Sequence, residues 1–254
     1  MRRAAAKKKS KASVPATRSL RGKIALITGA SRGIGLAIAT ALAAEGCDLI
    51  ITARHASPLK KAGRELERQG IRLLAKTCDV GNERSVDALF AAIKKEFRQL
   101  HFLINNAGMS HAMAQVDRLS PRVWQDVIAT NLTGVFLCTR AALPLMKRGS
   151  AIVNNLSVAA KGVFAGEAAY CASKHGGLGF TNTLREEVRE RGIRVIALMP
   201  GPTDTEIWDQ FMPEAPRNRM LRPQTVARAV LDALLLPDDS TVEEITVTPT
   251  AGSI

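Results

Sequence analysis

The stretch Lys23 to Gly46, KIALITGASRGIGLAIATALAAEG, runs from an aliphatic strand pattern through a glycine turn into a helical pattern without a break. The turn is TGASRGIG, Thr28 to Gly35, with glycines at 29, 33 and 35. Glycine permits unusual dihedrals and close backbone approach, and the helix start that follows offers unpaired amides and a partial positive charge. Together they make a seat for a pyrophosphate. The spacing is Gly-x-x-x-Gly-x-Gly rather than Gly-x-Gly-x-x-Gly, so position carries the argument: a glycine turn between the strand and helix of a first βαβ unit is where a dinucleotide binds. The plainer alternative is a turn that packs a helix on a strand.

Outward from this unit, short aliphatic runs alternate with longer helical patterns. Strands are expected near KIALIT, DLIITA, IRLLAKT, HFLIN, AIVNNL, IRVIALM and EEITVTP. Several are nearly continuous hydrophobic runs, as strands covered by helices on both faces must be. The expected fold is a doubly wound α/β sandwich around a parallel sheet. Its length of 254 residues suits one large domain.

The chain carries a net charge of +13, but nine of its positive charges lie between Arg2 and Lys23, and no acid precedes Glu45. The remainder is therefore only mildly basic, at +4. Residues 1–20 read as a disordered basic arm and 21–254 as a single folded domain. Such an arm also fits an organelle transit peptide or a nonspecific phosphate contact. Nothing approaches eighteen consecutive apolar residues, so no membrane span is expected, and a cytoplasmic location is, with organelle targeting left open. Nucleic acid is not an expected partner. The four cysteines are widely spread, which favours reduced thiols over disulfides or a metal site.

The end of the second strand bears on the choice of dinucleotide. A carboxylate there would accept from a ribose 2′-hydroxyl and repel a 2′-phosphate, but the chain has Ala53 followed by Arg54. Arg32, in the glycine turn, can face the same spot, giving two guanidiniums for one phosphate. NADP(H) is the expected cofactor.

With TGASRGIG, NNAG at Asn105 to Gly108, NLTGVF at Asn131 to Phe136, Ser157, YCASK at Tyr170 to Lys174, and Pro200 with Gly201, the chain resembles the short-chain dehydrogenase/reductase family. The motifs fall in the family's order from about Gly22 to Thr205, with thirteen residues from serine to tyrosine. The resemblance implies a three-layer Rossmann sandwich with a seven-stranded parallel sheet of order 3-2-1-4-5-6-7, and assembly into a homodimer or homotetramer. It assigns Asn131, Ser157, Tyr170 and Lys174 to catalysis. It assigns Gly29, Ser31, Arg32, Gly33, Ile34, Gly35, Arg54, Asp79, Val80, Asn106, Ala107, Gly108, Pro200, Gly201, Thr203 and Thr205 to the cofactor, alongside Tyr170 and Lys174. Asp79 and Val80 would hold the adenine, and Thr203 and Thr205 would meet the nicotinamide amide and phosphates.

The chemistry explains the residue types. Reducing a carbonyl needs a hydride on carbon and a proton on oxygen, and the cofactor supplies only the first. Residues four apart share a helix face, so Lys174 can stand beside Tyr170 and is expected to lower the phenol's pKa from its ordinary value of about 10. Ser157 would polarise the substrate oxygen. Asn131 falls within an expected helix, where asparagine is a poor former, so another demand holds it there. The resemblance implies a water-mediated proton relay; a buried asparagine tying two backbone segments is the alternative.

Three segments depart from the family pattern. Asn155 and Leu156 replace an aliphatic residue and a first serine, which implies altered hydrogen bonding or packing beside the substrate. His101 replaces an aspartate, read as a local structural change. The carboxy-terminal EEITVTPTAGSI lacks elements frequent in fatty-acid-type ketoacyl reductases. A lid is expected at about 204–222, with Ile207, Trp208, Phe211, Met212 and Met220 facing an apolar carbonyl or alcohol substrate, and with Arg217, Arg219 and Arg222 available to an acidic group. The expected activity interconverts a ketone or aldehyde and an alcohol. Alternatives are a 3-ketoacyl thioester reductase and a non-catalytic NADP-sensing regulator.

Overall fold

A computed structural model describes residues 19–252, so most of the basic arm lies outside the described residues. The first unit is β1 (Ile24–Thr28) followed by α1 (Gly33–Ala44). Then come β2 (Asp48–Ala53), α2 (Ala56–Glu67), β3 (Leu73–Thr77), α3 (Glu83–Glu96) and β4 (Phe102–Asn105). The second half holds α4 (Pro121–Ile128), α5 (Gly134–Ala142), β5 (Ala151–Asn155), α6 (Ala168–Val188), β6 (Arg194–Pro200), α7 (Trp208–Phe211), α8 (Pro223–Leu234) and β7 (Glu244–Val247). The strands form one sheet in the order β3-β2-β1-β4-β5-β6-β7, all parallel, as the sequence led one to expect.

Successive strand residues point to opposite faces, and the two hydrophobic layers follow from that alternation. Ala25, Ile27, Ile104, Val153 and Ile196 pack beneath α1 and α8, while Leu26, Leu103, Ile152 and Val195 pack beneath α3, α5 and α6. Burial on both faces is why these strands read as unbroken apolar runs. Because the connections turn away in opposite directions from β1 and β4, a crevice opens beyond the carboxyl ends of these neighbours, the switch point where ligands bind in such sheets.

The continuous helical run Pro121–Leu145 is long and apolar enough to cross a membrane by length and composition alone. Half of its most apolar window is buried inside the domain, and the run brings Thr130 to the crevice, so packing accounts for its apolar character. The interval after β6 is more built than a bare insertion. It contains α7 and a 3-10 turn at Arg217–Arg219, and Arg217 ties the two together through Asp204, Asp209 and the Thr205 carbonyl. That pairing occupies one of the three arginines expected to face an acidic substrate group. All four cysteines are free.

His101 joins the edges of β1 and β4, because its Nδ1 accepts from the Ile24 amide at 3.1 Å. Burial, with Lys23 nearby, pushes its pKa down to about 4 from 6.5. The folded protein holds this imidazole neutral, so its contribution is present above pH 6.5 and is lost as pH falls through about 4. Melting temperatures of the wild type should drop across this window. In His101→Asn the slope should flatten; an unchanged slope would show that other groups set the acid sensitivity.

Candidate active site

Thr28, at the end of β1, fixes the crevice floor. Its Oγ1 accepts from the amides of Asn106 and Ala107 at 3.0 and 2.9 Å, so the segment leaving β4 is bonded directly to the start of the glycine turn. The Asn106 carboxamide then donates to the carbonyls of Thr28 and Gly29 at 2.9 and 3.1 Å. A Cβ on Gly35 would stand 2.3 Å from Asn106 Nδ2 and 2.5 Å from the Gly29 carbonyl oxygen, so only glycine fits. Gly29 and Gly33 adopt φ of 64° and 55°, the left-handed region that side chains disfavour.

The α1 amino terminus faces the crevice. Arg32 occupies its N-cap without a side-chain cap, and no acid stands in the first turn. The first-turn amides therefore keep their hydrogen-bonding capacity and partial positive charge for a ligand. Arg32 and Arg54 are both exposed at the rim of the same cleft, which has a volume of about 750 Å³. Free amides, a wall without a Cβ and two guanidiniums fit a dinucleotide that bears an additional phosphate.

The structure brings most of the expected residues to this cleft. Its walls include Ser31, Ile34, Val80, Ala107, Gly108, Pro200, Gly201, Thr203 and Thr205. Asp79 and Asn131 are exceptions: Asn131 is buried behind the lining, and Asp79 is exposed and outside it, with Oδ1 accepting from the Gly81 amide at 3.0 Å. Its carboxylate shapes the turn after β3, and Val80 meets the cleft in its place.

Tyr170 and Lys174 lie on one face near the start of α6, with Lys174 Nζ 5.3 Å from the phenol ring centroid. Lys174 is 5 % exposed, and its ammonium donates to the Asn155 carbonyl at 3.1 Å. Burial pulls it down to about 8. The phenol moves the opposite way from the sequence expectation. Burial pushes Tyr170 up to about 12, and a hydrogen bond from Ser157 opposes that only in part. Desolvation disfavours whichever form is charged, so it raises a phenol and lowers an ammonium together. Near neutral pH, Tyr170 keeps its proton and Lys174 its charge.

Asn131 lies in a π turn, Ala129–Thr133, between α4 and α5. Its Oδ1 accepts from the Met109 amide at 2.9 Å, while its Nδ2 donates to the Met109 carbonyl at 2.8 Å and to Ser173 Oγ at 3.1 Å. Those bonds tie two backbone segments beside Lys174. The widened turn explains how a poor helix former sits within an otherwise continuous helix.

Sequence reasoning missed several lining residues, among them His55, Met109, Ser110 and Glu167. Glu167 is 2 % exposed and accepts from Ser110 Oγ at 2.8 Å across 57 residues of chain. Its local signal was a lone acid in the small-residue run GEAAY just ahead of the catalytic pair.

Comparison with known proteins finds the same family and fold. The family model described as short chain dehydrogenase matches residues 23–215. A putative ketoacyl reductase of Streptomyces coelicolor is 36% identical over 231 residues, covering 82% of this chain and 88% of the relative. A 3-oxoacyl-[acyl-carrier-protein] reductase of Synechocystis is 37% identical over 223 residues, covering 84% and 89%. Among solved structures, an alcohol dehydrogenase from Thermococcus sibiricus complexed with 5-hydroxy-NADP superposes with a TM-score of 0.85 at 31% identity, covering 91% of this chain and 98% of that one. A short chain dehydrogenase from Burkholderia cenocepacia in complex with NADP gives 0.83 at 30% identity, with the same coverage.

Replacing Gly35 with alanine should force Asn106 or the turn aside, costing about 1–3 kcal/mol of stability. NADPH binding, followed by nucleotide fluorescence, should weaken at least tenfold or so for the same displacement. Wild-type affinity in Gly35→Ala would show that the turn is not where the dinucleotide sits.

Proposed function

The chain belongs to the short-chain dehydrogenase family, and from that membership we propose that it is an NADP(H)-dependent oxidoreductase interconverting a ketone or aldehyde and an alcohol. The observation that carries this reading is the convergence of Ser157, Tyr170 and Lys174 on the cleft that begins at the glycine turn. The NADP complexes among the similar structures support the choice of cofactor, as do Arg32 and Arg54 at the cleft rim.

NADP(H) supplies or receives the hydride. In the reductive direction, Ser157 and the Tyr170 hydroxyl hold the substrate oxygen as negative charge develops on it. Tyr170 then gives its proton to that oxygen; in the oxidative direction its phenolate takes the proton back. An alkoxide is a far stronger base than a phenolate, so the raised pKa of Tyr170 still leaves the reductive transfer downhill. Lys174 stabilises the phenolate left behind, and its lowered pKa suits it to exchange a proton near neutral pH. Asn131 holds Met109, and with it the wall opposite α6.

We infer an apolar carbonyl substrate from the cleft mouth, where Met113, Val163, Phe164 and Met212 are exposed. A 3-ketoacyl thioester is the narrower reading, favoured by the names of the Streptomyces and Synechocystis relatives. Exposed Trp124 on α4 and Phe136 on α5 favour a homo-oligomer through these helices, measurable as sedimentation mass.

Turnover of a carbonyl panel, followed by nucleotide absorbance, tests the reading. NADPH should outperform NADH by about tenfold or more in kcat/KM, and Arg54→Ala should erase most of that margin. Tyr170→Phe should keep NADPH binding and lose at least about 100-fold in kcat. A preference for NADH would overturn the two-arginine argument, and substantial residual turnover in Tyr170→Phe would overturn the proton role.

A further inference from the structure

Asn155 is the departure from the family pattern for which the chemistry above has no task. It is the last residue of β5, lines the cleft and stands two positions before Ser157. Its backbone carbonyl accepts from Lys174 Nζ at 3.1 Å, and its side-chain Nδ2 donates to Asn106 Oδ1 at 2.8 Å. Its own Oδ1 is buried without a partner. A buried amide oxygen left unsatisfied, on a residue type that strands disfavour, is costly, so stability alone gives no reason for asparagine here.

The bond to Asn106 has a direct consequence. The Asn106 carboxamide fills the space against Gly29 and Gly35, and its Nδ2 bonds the Thr28 and Gly29 carbonyls. The two ends of a carboxamide have nearly the same shape, so packing alone would not choose between its two orientations. Turned over, Asn106 would set an oxygen against two carbonyl oxygens and release the glycine turn. A donor at position 155 can satisfy only the orientation in which Asn106 Oδ1 points toward it. A hydrocarbon side chain there would leave Asn106 held through its nitrogen alone, by the Thr28 and Gly29 carbonyls, with nothing bonded to its oxygen.

The geometry points to Asn155 as a positioning residue: by donating to Asn106 it locks the glycine turn in the shape that receives the dinucleotide. Its carbonyl anchors Lys174 at the same junction. This inference rests on the cofactor reading above and adds a residue to it. A pre-shaped site binds more tightly because less ordering remains to be done on binding. The side chain of Asn155 therefore acts on cofactor affinity, whereas the bond to Lys174, made by the backbone, survives substitution.

The test is Asn155→Val, with NADPH affinity measured by fluorescence in the absence of substrate, the melting temperature of the cofactor-free protein, and kcat at saturating NADPH. The Kd for NADPH should rise about fivefold or more, the worth of one structuring hydrogen bond. That rise should exceed any fall in kcat. The melting temperature should stay near that of the wild type, because the orphaned oxygen leaves with the side chain. A Kd within about twofold of wild type would overturn the proposal. So would a lower melting temperature and kcat with the Kd unmoved, the pattern of a packing role. Should Asn155→Val fail to fold, Asn155→Asp keeps the shape without the donor. Its Kd is then compared with that of Asn155→Leu, which removes the same donor without adding charge; weakened binding in both variants supports the proposal, and wild-type binding in Asn155→Leu refutes it. A wild-type protein that bound no NADPH would instead defeat the cofactor reading itself.

Discussion

The arrangement depends on how β1 and β4 are joined where the chain leaves them in opposite directions. No helix closes that edge, so the amides emerging there need an acceptor, and the Thr28 hydroxyl supplies one to both Asn106 and Ala107. Each such bond contributes only about 1 kcal/mol net, but a buried amide left without a partner costs about 1–3 kcal/mol. From this junction the structure extends two ways. Through Asn106 it reaches the glycine turn and the α1 amino terminus; through Asn155 it reaches Lys174 and, one helical turn back, Tyr170. The glycine turn and Lys174 are parts of one hydrogen-bonded unit, with Tyr170 packed beside Lys174. The buried amides of Asn105 and Asn154 extend it, linking Thr139 on α5 to Thr181 on α6.

Burial is the second determinant, and it acts on both members of the catalytic pair. It holds the phenol protonated and lowers the lysine to about 8, so near neutral pH a protonated phenol stands beside a cation that burial has made easier to deprotonate. Tyr170 and Lys174 share a helix face as their spacing predicts, while burial moves the phenol up where the lysine alone was expected to move it down. Spacing shows that Lys174 reaches Tyr170, but not how many other elements close over them both. Desolvation is the sum of those distant contacts.

The same division runs through the rest of the molecule. Strands covered on both faces announce themselves as unbroken apolar runs, and the glycine turn and the tyrosine-lysine pair are local in sequence, so all were legible. The contacts that escaped join distant segments. His101 meets Ile24 across 77 residues, Ser110 meets Glu167 across 57, and Asn155 meets Asn106 across 49. Asp79, expected at the adenine, stands at the expected strand end but outside the cleft lining, with its carboxylate accepting from the Gly81 amide. Residue type suggested what each could do, and only packing decided which way it faces.

Tyr170 is the only tyrosine in the chain, so its ionisation can be read by ultraviolet absorbance without assignment. The most direct measurement is the phenolate signal recorded immediately after a pH jump, before alkaline unfolding, with and without oxidised NADP. Without nucleotide the phenol should stay protonated until about pH 12. Bound NADP⁺ should draw the midpoint down, as a positive charge beside the phenolate requires. Ionisation near pH 10 in both states, the behaviour of a solvated tyrosine, would contradict the account.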